Sequence, residues 1–283
     1  MMINFTKMHG AGNDFVLIDS LHNSFHNSIE SISKLAIRIC DRHTGIGGDG
    51  IILVLPVENK ENDFRMRIFN SDGSEAEMCG NGIRCFTHFL REELMSKKNT
   101  FRIETRAGII QPEIISYNNK ESQVKVNMGI PRFRNQEIPV LLDEEYIKNY
   151  DLLIDDQKIK INCVSMGNPH TIIFVKNLDS TPVIELGKKI ENHKIFPEKT
   201  NVEFIEVLNR NEILMKVWER GAGLTLACGT GACAAVVAGI NNNLLNQEVL
   251  VHLPGGDLNI EWYGKDVFMT GPAEQVFKGE IEL

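Results

Sequence analysis

The sequence lacks the segments that direct a chain into or across a membrane. It has no run of about 18 apolar residues, which a membrane-spanning helix needs. The stretch from Met1 to Lys7 lacks the apolar core of a secretory signal peptide. We therefore expect a cytoplasmic protein whose six cysteines remain reduced.

Positive charge and metal-ligand pairs are also scarce. The formal net charge is −8, so no broad basic surface argues for nucleic acid. The sequence has no C-x-x-C pair, and the spacing of Cys40 and His43 is not followed by a second pair. A structural zinc site needs two such pairs, so we expect no metal.

Length and composition are those of an ordinary globular protein. The chain has 283 residues, of which 42% are apolar and 24% charged. This length is sufficient for two domains of common size.

One short motif occurs twice. Cys79 begins the first C-G-x-G and Cys228 begins the second, and an apolar run with helical spacing follows each. A segment with strand character precedes each copy, at 64–69 and 213–218. The offset between the copies is 228 − 79 = 149 residues. The chain is therefore predicted to be an internal duplication.

The motif has a chemical interpretation and a structural one. A cysteine at the first turn of a helix is close to the positive end of the helix dipole, which favours the thiolate. Glycines leave the backbone N–H groups open to an anion. A Cys-Gly pair before a helix is more often only a small buried residue and a tight turn. The repetition at one offset favours a functional site, which we expect in the cleft between the halves.

The pattern of strands and turns gives the domain organisation. We place the boundary near residue 127, so that 1–127 form an N-terminal half with Cys79, joined by the tail 272–283. Residues 128–271 then form a C-terminal half with Cys228. We interpret 109–115 as one strand of a hairpin, 132–158 as irregular and 165–170 as a loop. We expect the first motif's helix to end near Met95.

The glycine-rich segment Gly45 to Gly50 formally matches the dinucleotide fingerprint G-x-G-x-x-G. That fingerprint must follow a strand and open a helix, whereas here a helical pattern precedes it and a β-rich run follows. We therefore interpret the segment as a loop that enters a strand.

Strand patterns outnumber helical ones, and short turns join most of them. This indicates an α+β fold of two pseudo-symmetric halves, each a bent, mainly antiparallel sheet wrapped around a central helix.

Four motifs together resemble one known family. They are M-H-G-x-G-N-D-F from Met8, N-x-D-G-S-E-x-x-x-C-G-N-G-x-R-C from Asn70, S-M-G-N-P-H from Ser165, and E-R-G-x-G-x-T-x-A-C-G-T-G-A-C-A from Glu219. The chain resembles the diaminopimelate epimerases over nearly its whole length. The resemblance implies the fold of that family, which is the fold just predicted. It also implies a homodimer without a cofactor, whose partner is the small molecule diaminopimelate, with no nucleic acid or membrane.

The resemblance further implies the reaction and its residues. The expected reaction interconverts LL- and meso-diaminopimelate in lysine and peptidoglycan precursor biosynthesis, with Cys79 and Cys228 as the bases. His170 and Glu219 are expected to tune the pKa values of the cysteines. The residues implied to bind substrate are Asn13, Asn70, Gly80, Asn81, Asn168, Asn201, Glu219, Arg220, Gly229 and Thr230.

Several of these residues have ordinary alternative roles, since asparagines cap turns and an arginine beside a glutamate is often a surface pair. Two positions depart from what is common in the family. Gly50 stands where some members have a glutamine near the substrate amino group, and Leu224 stands where an acidic residue is common.

Two other functions remain open at this point. A proline-racemase-like enzyme would share the fold and the cysteine pair, but it has no use for Arg220 and the asparagines around it. A relative that binds ligand without catalysis would have lost its bases, whereas both cysteines are present here.

Overall fold

The computed structural model of the chain describes residues 2–21, 29–94 and 97–282. These residues form two compact units. The first contains the residues up to Asn127 and those from Thr270 onward, and the second is Met128–Met269.

The first unit consists mostly of strands. Its strands before Met128 are β1 (Met2–Gly10), β2 (Asn13–Asp19), β3 (Gly50–Leu55), β4 (Phe64–Asn70), β5 (Glu75–Ala76), β6 (Ile103–Thr105), β7 (Gly108–Ile110), β8 (Glu113–Tyr117) and β9 (Glu121–Asn127). The helices described in this unit are α1 (Ile29–Cys40) and α2 (Gly80–Glu92). Neighbouring strands pair antiparallel, except that β2–β3 and β4–β6 are parallel.

Helix α2 is the centre of the first unit. Eleven of its thirteen residues are buried, and it contacts β1, β2, β3, β8 and β9. A helix that is covered on all sides belongs to the core of its domain. By contrast, α1 buries one stripe, Ile32, Ala36, Ile39 and Cys40, and packs against β3 and β4.

The second unit repeats this order. Its strands are β10 (Tyr150–Ile154), β11 (Gln157–Ser165), β12 (Pro169–Val175), β13 (Asn201–Asn209), β14 (Glu212–Glu219), β15 (Gly223–Thr225), β16 (Glu248–Leu253) and β17 (Gly256–Trp262). Its helices are α3 (Val183–Glu191) and α4 (Gly229–Asn241), with a 3-10 turn at Asn135–Glu137. The parallel pairs are β12–β13 and β14–β16, and the other pairs are antiparallel.

Helix α4 is the centre of the second unit. Ten of its thirteen residues are buried, and it contacts β11, β12, β13 and β17. Most of its side chains are small, which lets the surrounding backbone approach it closely. Helix α3 packs against the other side of β13 and against β14 and β15.

The long strand β18 (Val267–Glu282) carries the chain from the second unit back into the first. Its later residues pair antiparallel with β1, from Met2 opposite Glu282 to His9 opposite Glu274. The buried side chain of Arg84 on α2 donates from Nε to the carbonyl of Pro272 at 3.0 Å. This contact joins the central helix of the first unit to its last strand.

Strand register defines equivalent positions in the two units. Phe15 is opposite Gly50 in the parallel pair β2–β3, and His170 is opposite Asn201 in the parallel pair β12–β13. Two residues further along, Leu17 is opposite Ile52 and Ile172 is opposite Glu203. His170 is therefore the equivalent of Phe15, and Glu203 is the equivalent of Ile52.

The sheet-dominated architecture around two central helices confirms the predicted α+β fold of two similar halves. The segment Gly45 to Gly50 is a loop that enters β3, as predicted. Helix α2 ends at Glu92, and the predicted end near Met95 lies outside the described residues.

Three local predictions were wrong. Residues 150–158 are not irregular, because Leu152 and Ile154 alternate inward in β10, and a turn with positive φ at Asp155 and Asp156 leads into β11. The acidic composition of 132–158 had favoured irregular structure over this hairpin. The predicted loop at 165–170 is shorter, since β12 begins at Pro169. The predicted strand 109–115 is interrupted between β7 and β8, at Gln111 and Pro112.

The C-terminal end of α4 gives a prediction about packing. A Cβ atom on Gly239 would lie 2.3 Å from Cδ1 and 2.7 Å from Cγ of the buried Leu245. Although alanine favours helices by about 1 kcal/mol, overpacking should make Gly239→Ala less stable by about 1–3 kcal/mol in urea unfolding. In the Leu245→Ala background the same substitution should be neutral or stabilising. An equal loss in both backgrounds would contradict the close packing.

Candidate active site

Cys79 is the N-cap residue of α2. Its backbone is extended, with φ −140° and ψ 122°, and its carbonyl accepts from the N–H of Ile83 at 2.9 Å. The N–H groups of the first helical turn have no partner within a helix. Cys79 therefore stands at the positive end of the α2 dipole.

Asn13 presents its amide oxygen to the Cys79 thiol. Its Nδ2 donates to Oδ2 of Asp49 at 2.6 Å, so that Oδ1 points the other way. This oxygen accepts from Sγ of Cys79 at 3.7 Å and from Nδ2 of Asn81 at 3.2 Å. The carboxylate of Asp49 thus sets the amide orientation at an acceptor for the S–H group.

A cluster of charged side chains surrounds Asp49, the hydrogen-bond partner of Asn13. Arg42 donates to both oxygens of Asp14, at 2.6 and 3.1 Å, and to Asp49 at 2.9 Å. Lys7, which is buried, lies 2.6 Å from Asp14 and also donates to the carbonyl of Gly47. Burial raises the pKa of Asp14, but hydrogen bonds from Arg42 and Lys7 outweigh it and lower that pKa to about 2.

Cys228 is the N-cap residue of α4, in the same backbone conformation as Cys79, with φ −128° and ψ 111°. Its Sγ accepts from the N–H of Gly231 at 3.4 Å and lies 3.5 Å from Oγ1 of Thr230. Both of the repeated motifs therefore place a sulfur atom at the N-terminus of a buried helix.

A chain of polar side chains leads to Cys228. Asn168 donates from Nδ2 to Oγ1 of Thr230 at 3.4 Å, and its Oδ1 lies 3.0 Å from Nε2 of His170. The other ring nitrogen of His170 lies 2.7 Å from Oε1 of Glu203. His170 and Glu203 are both completely buried.

The expected lowering of the Cys228 pKa by the helix dipole does not dominate here. Burial raises this pKa well above the usual range, and the carboxylates of Glu219 and Glu203 raise it further. Hydrogen bonds from Thr230 and Gly231 act in the opposite direction but are weaker. Two nearby carboxylates in a dry environment disfavour a third negative charge.

Glu219, the last residue of β14, is one of these carboxylates. Its Oε1 accepts from the hydroxyl of Thr225 at 2.5 Å. Burial raises the pKa of Glu219, and Thr225 lowers it less strongly. The carboxylate therefore lies within electrostatic range of Cys228 and holds its proton more readily than an exposed glutamate does.

Asn201, the first residue of β13, is hydrogen-bonded to the backbone of Arg220. The buried amide of Asn201 accepts from the backbone N–H of Arg220 at 2.9 Å and donates to the carbonyl of Pro169 at 2.9 Å. The Arg220 side chain is exposed, and its Nη1 donates to the carbonyl of Glu198 at 3.0 Å. The guanidinium thus extends from a fixed backbone position.

The candidate residues fall into connected groups, and one stands apart. Cys79, Asn13 and Asn81 are in contact, and Gly80 is buried beside them at the start of α2. Cys228, Thr230, Asn168 and His170 form a second group, with Gly229 buried at the start of α4. Asn70 is exposed, and its amide donates to Oγ of Ser74 at 3.0 Å.

Neither a metal cluster nor a transmembrane helix occurs in the described structure. In residues 2–21, 29–94 and 97–282, no three His, Cys, Asp or Glu side chains are grouped as metal ligands would be. No helix within the same ranges is long and apolar enough to cross a membrane.

Comparison with known proteins identifies the family. The family model of diaminopimelate epimerase matches residues 5–134 and 162–276. The chain is 60% identical to a diaminopimelate epimerase of Halothermothrix orenii, over 100% of this chain and 99% of that protein. It is 48% identical to a diaminopimelate epimerase of Acetivibrio thermocellus, over 99% of each. The chain belongs to the diaminopimelate epimerase family.

Solved structures of other proteins share the fold. A PhzF-family phenazine biosynthesis protein from Bacillus anthracis matches with a TM-score of 0.73 at 20% identity, over 100% of both chains. A hydroxyproline epimerase from Agrobacterium vitis, with bound trans-4-hydroxy-L-proline, matches with a TM-score of 0.69 at 15% identity. That match covers 100% of this chain and 93% of the other. At these identities the likeness shows the architecture alone.

The two departures from the diaminopimelate epimerase pattern differ in their structural setting. A Cβ atom on Gly50 would lie 2.6 Å from the carbonyl oxygen of Phe69, so β3 has no space for a side chain at this point. Leu224 is half exposed in β15, and nothing in the structure explains the leucine.

The charged groups that hydrogen-bond to the family's motif residues or to one another were not identified from the sequence. Asp49 and Arg42 orient Asn13, and Glu203 pairs with His170. Asp49 stands in the glycine-rich loop, whose polar residue was a usable signal. Glu203 lies inside the apolar strand segment Val202 to Ile205, where one carboxylate among buried residues was the only indication.

The ion pairs of Asp14 give a pH-dependent prediction. Because the folded pKa of about 2 is below the unfolded value of about 3.9, the stabilisation is present above pH 4 and is lost as pH falls through 2. Asp14→Asn, which leaves Lys7 buried without its carboxylate, should lower the free energy of unfolding by about 2–3 kcal/mol at pH 7. The difference from wild type should shrink between pH 4 and pH 2.

The control is Asp179→Asn, because Asp179 is 94% exposed and pairs only at the surface with Lys216. This variant should unfold at nearly the wild-type urea concentration. A deficit in Asp14→Asn that stayed constant from pH 7 to pH 2 would contradict the ion-pair account.

Proposed function

We propose that this chain interconverts LL- and meso-diaminopimelate by moving the α-proton between two cysteines, without a cofactor. The observation that carries the proposal is the repeated helix N-cap cysteine, Cys79 and Cys228, in a member of this family. Each motif supplies a thiol and a row of N–H donors. Two such groups on opposite faces of a carbon centre can invert it, one acting as base and the other as acid.

The proposed reaction has two proton transfers. The thiolate of one cysteine takes the α-proton and becomes a thiol, and the carbon is left as a carbanion. The thiol of the other cysteine gives its proton to the opposite face and becomes a thiolate. The product then meets the reversed protonation states, so both directions proceed by the same steps.

The α-carboxylate is proposed to bind at the first turns of α2 and α4. The N–H groups of Gly80, Asn81, Gly229 and Thr230 point out of these turns, where positive potential favours an anion. The same donors would stabilise negative charge as it develops on the carboxylate during proton removal.

Glu219 is proposed to accept from the substrate ammonium group. Its carboxylate is one of the groups that raise the Cys228 pKa. A cation paired with it would offset that effect and make the thiolate more accessible when substrate is bound. This accounts for a thiol whose pKa is raised by burial and by the neighbouring carboxylates.

We further propose that the enzyme works in the cytoplasm as a homodimer, in the supply of lysine and peptidoglycan precursors. The six cysteines of the sequence would remain reduced in that compartment. The remaining candidates, Asn13, Asn70, Asn168 and Asn201, are proposed to bind the polar groups of the substrate.

The direct test is incubation with LL-diaminopimelate in D₂O. Wild-type protein should form the meso isomer with one deuterium at the inverted carbon. Cys79→Ala and Cys228→Ala should each reduce epimerisation by at least about a thousandfold while the folded far-UV spectrum is retained. A variant that epimerised at near the wild-type rate would exclude the two-base mechanism. Cys233→Ala, which changes a buried thiol on α4, is the matched control.

Arg220 tests the substrate assignment, because a guanidinium can hold the distal carboxylate with two parallel hydrogen bonds. Arg220→Met should reduce kcat/KM for diaminopimelate by a factor of about ten to a thousand. Alkylation of the cysteines in substrate-free protein should be unchanged.

The control for this variant is Arg210→Met, since Arg210 is an exposed arginine of the same unit whose side chain donates to Asn243 and Asn246. It should retain wild-type kinetics. Unchanged kinetics in Arg220→Met, or turnover of proline by the wild-type protein, would mean that the distal carboxylate is not recognised as proposed.

A further inference from the structure

The two units differ at one pair of equivalent buried positions. In the first unit, Phe15 and Ile52 occupy them, and both are buried. In the second unit the equivalents are His170 and Glu203, which are also completely buried. An apolar pair has thus been replaced by an ionisable pair within the same strand framework.

This replacement is not required for folding. Removing a carboxylate from water is unfavourable unless it is paired and hydrogen-bonded. Glu203 has one such contact, 2.7 Å from Oε1 to Nδ1 of His170, and no described residue donates to its Oε2. Since Phe15 and Ile52 fill the same positions in the other unit, the ionisable pair needs an explanation beyond packing.

Glu203 also lies against the start of α4. A Cβ atom on Gly231 would come within 2.7 Å of Oε1 of Glu203. At the equivalent Gly82 the nearest atoms are the methyl groups of Ile68 and Ile52, at 3.1 and 3.2 Å. The second glycine of the motif thus makes room for a carboxylate beside the first turn that carries Cys228.

The hydrogen bonds define where the protons lie. An ionised Glu203 can only accept, so Nδ1 of His170 carries a hydrogen. Asn168 donates from Nδ2 to Thr230, which turns its Oδ1 toward Nε2 of His170. That oxygen can only accept as well, so both ring nitrogens of His170 face acceptor atoms. Such surroundings suit an imidazolium with Glu203 as its counter-ion.

The directions of donation in these hydrogen bonds extend to the sulfur atom of Cys228. Oγ1 of Thr230 accepts from Asn168, which leaves its own hydrogen for Sγ of Cys228, 3.5 Å away. With the N–H of Gly231, the sulfur then receives two donors. Two donors stabilise a thiolate more than one does.

We propose that Glu203 is a positioning residue that keeps His170 doubly protonated and thereby turns the Asn168 amide and the Thr230 hydroxyl so that they donate toward Cys228. The inference rests on the proposed function only in giving Cys228 a catalytic role. Without the carboxylate, His170 would be neutral, and with its single hydrogen on Nδ1 it would present a lone pair at Nε2. The Asn168 amide would then rotate to donate to it, and Thr230 would donate to Asn168 instead of to the sulfur.

Other titratable groups around Cys228 belong to the strands that surround α4. They are His170 on β12, Glu203 on β13, Glu219 on β14 and the Cys163 thiol on β11. Burial raises the pKa of Cys163 to about 12, so it carries no charge at neutral pH. Glu219 is retained in every variant that is compared, so its effect on the Cys228 pKa is the same in each.

The test is the alkylation rate of Cys228 in substrate-free Glu203→Gln, measured with iodoacetamide between pH 7.5 and 9 and located by peptide mass spectrometry. Loss of the hydroxyl donor should slow alkylation about tenfold at each pH. If Glu203 acted only through its negative charge, which raises the Cys228 pKa, the substitution would speed alkylation instead. A faster or unchanged rate would therefore overturn the proposal.

Cys79 in the same samples provides an internal control, because its unit is untouched and its rate should not change. Glu206→Gln is the matched variant. Glu206 is on the same strand and accepts from the N–H of Leu178 at 2.6 Å, away from Cys228. It should alkylate at the wild-type rate, and a tenfold loss in this variant too would overturn the proposal.

Two further measurements distinguish transmission through the Thr230 hydroxyl from a general disturbance of the site. In a Thr230→Val background, Glu203→Gln should slow Cys228 alkylation no further, and a full additional loss would exclude transmission through the hydroxyl. If Glu203→Gln fails to fold, ¹⁵N spectra of wild-type protein decide, because both ring nitrogens of His170 should carry hydrogen at neutral pH. A singly protonated ring would overturn the proposal. Because alkylation needs no substrate, these outcomes are independent of whether diaminopimelate is turned over.

Discussion

Each unit buries the beginning of a helix, and the arrangement of the candidate site follows from that constraint. The first four N–H groups of a helix have no partner within it, and inside a protein they cannot rely on bulk water. Helices α2 and α4 both begin in buried surroundings, with a sulfur atom at the N-cap and glycines in the first turn. The glycines keep these donors accessible, and the neighbouring strands supply the side chains that face them.

The repeated motif, the strands before it and the central helices could be predicted because they depend on local pattern and on one constant offset. The hairpin of β10 and β11 could not, since its alternating leucine and isoleucine are embedded in an acidic segment. The burial of Glu203 could not be predicted either. Alternation in a strand normally leaves one face exposed, but β13 is covered by α3 on one side and α4 on the other. Such two-sided burial is a tertiary property.

The duplicated scaffold supports two chemically different sulfur environments. Near Cys79 an aspartate fixes an asparagine so that an amide oxygen faces the thiol. Near Cys228 a histidine–glutamate pair fixes an asparagine in the opposite sense, with its NH₂ group leading through a threonine. A substrate that is itself asymmetric can distinguish such surroundings, although the backbone of the two motifs is nearly the same. Duplication gives both units the same backbone framework, and substitution of a few buried side chains makes the surroundings of the two sulfur atoms different.

Strand β18 has a consequence for how the polypeptide is made. Thr6 pairs with Lys278, so partners in one ladder are separated by 278 − 6 = 272 residues. During synthesis at about 5–20 residues per second, β1 leaves the ribosome long before β18 exists. The middle of the chain, Met128–Met269, can become compact while the earlier-made unit still has an open edge on β1. The first unit to begin synthesis is thus the last to be completed, and the open edge of β1 is the segment that a chaperone would need to shield.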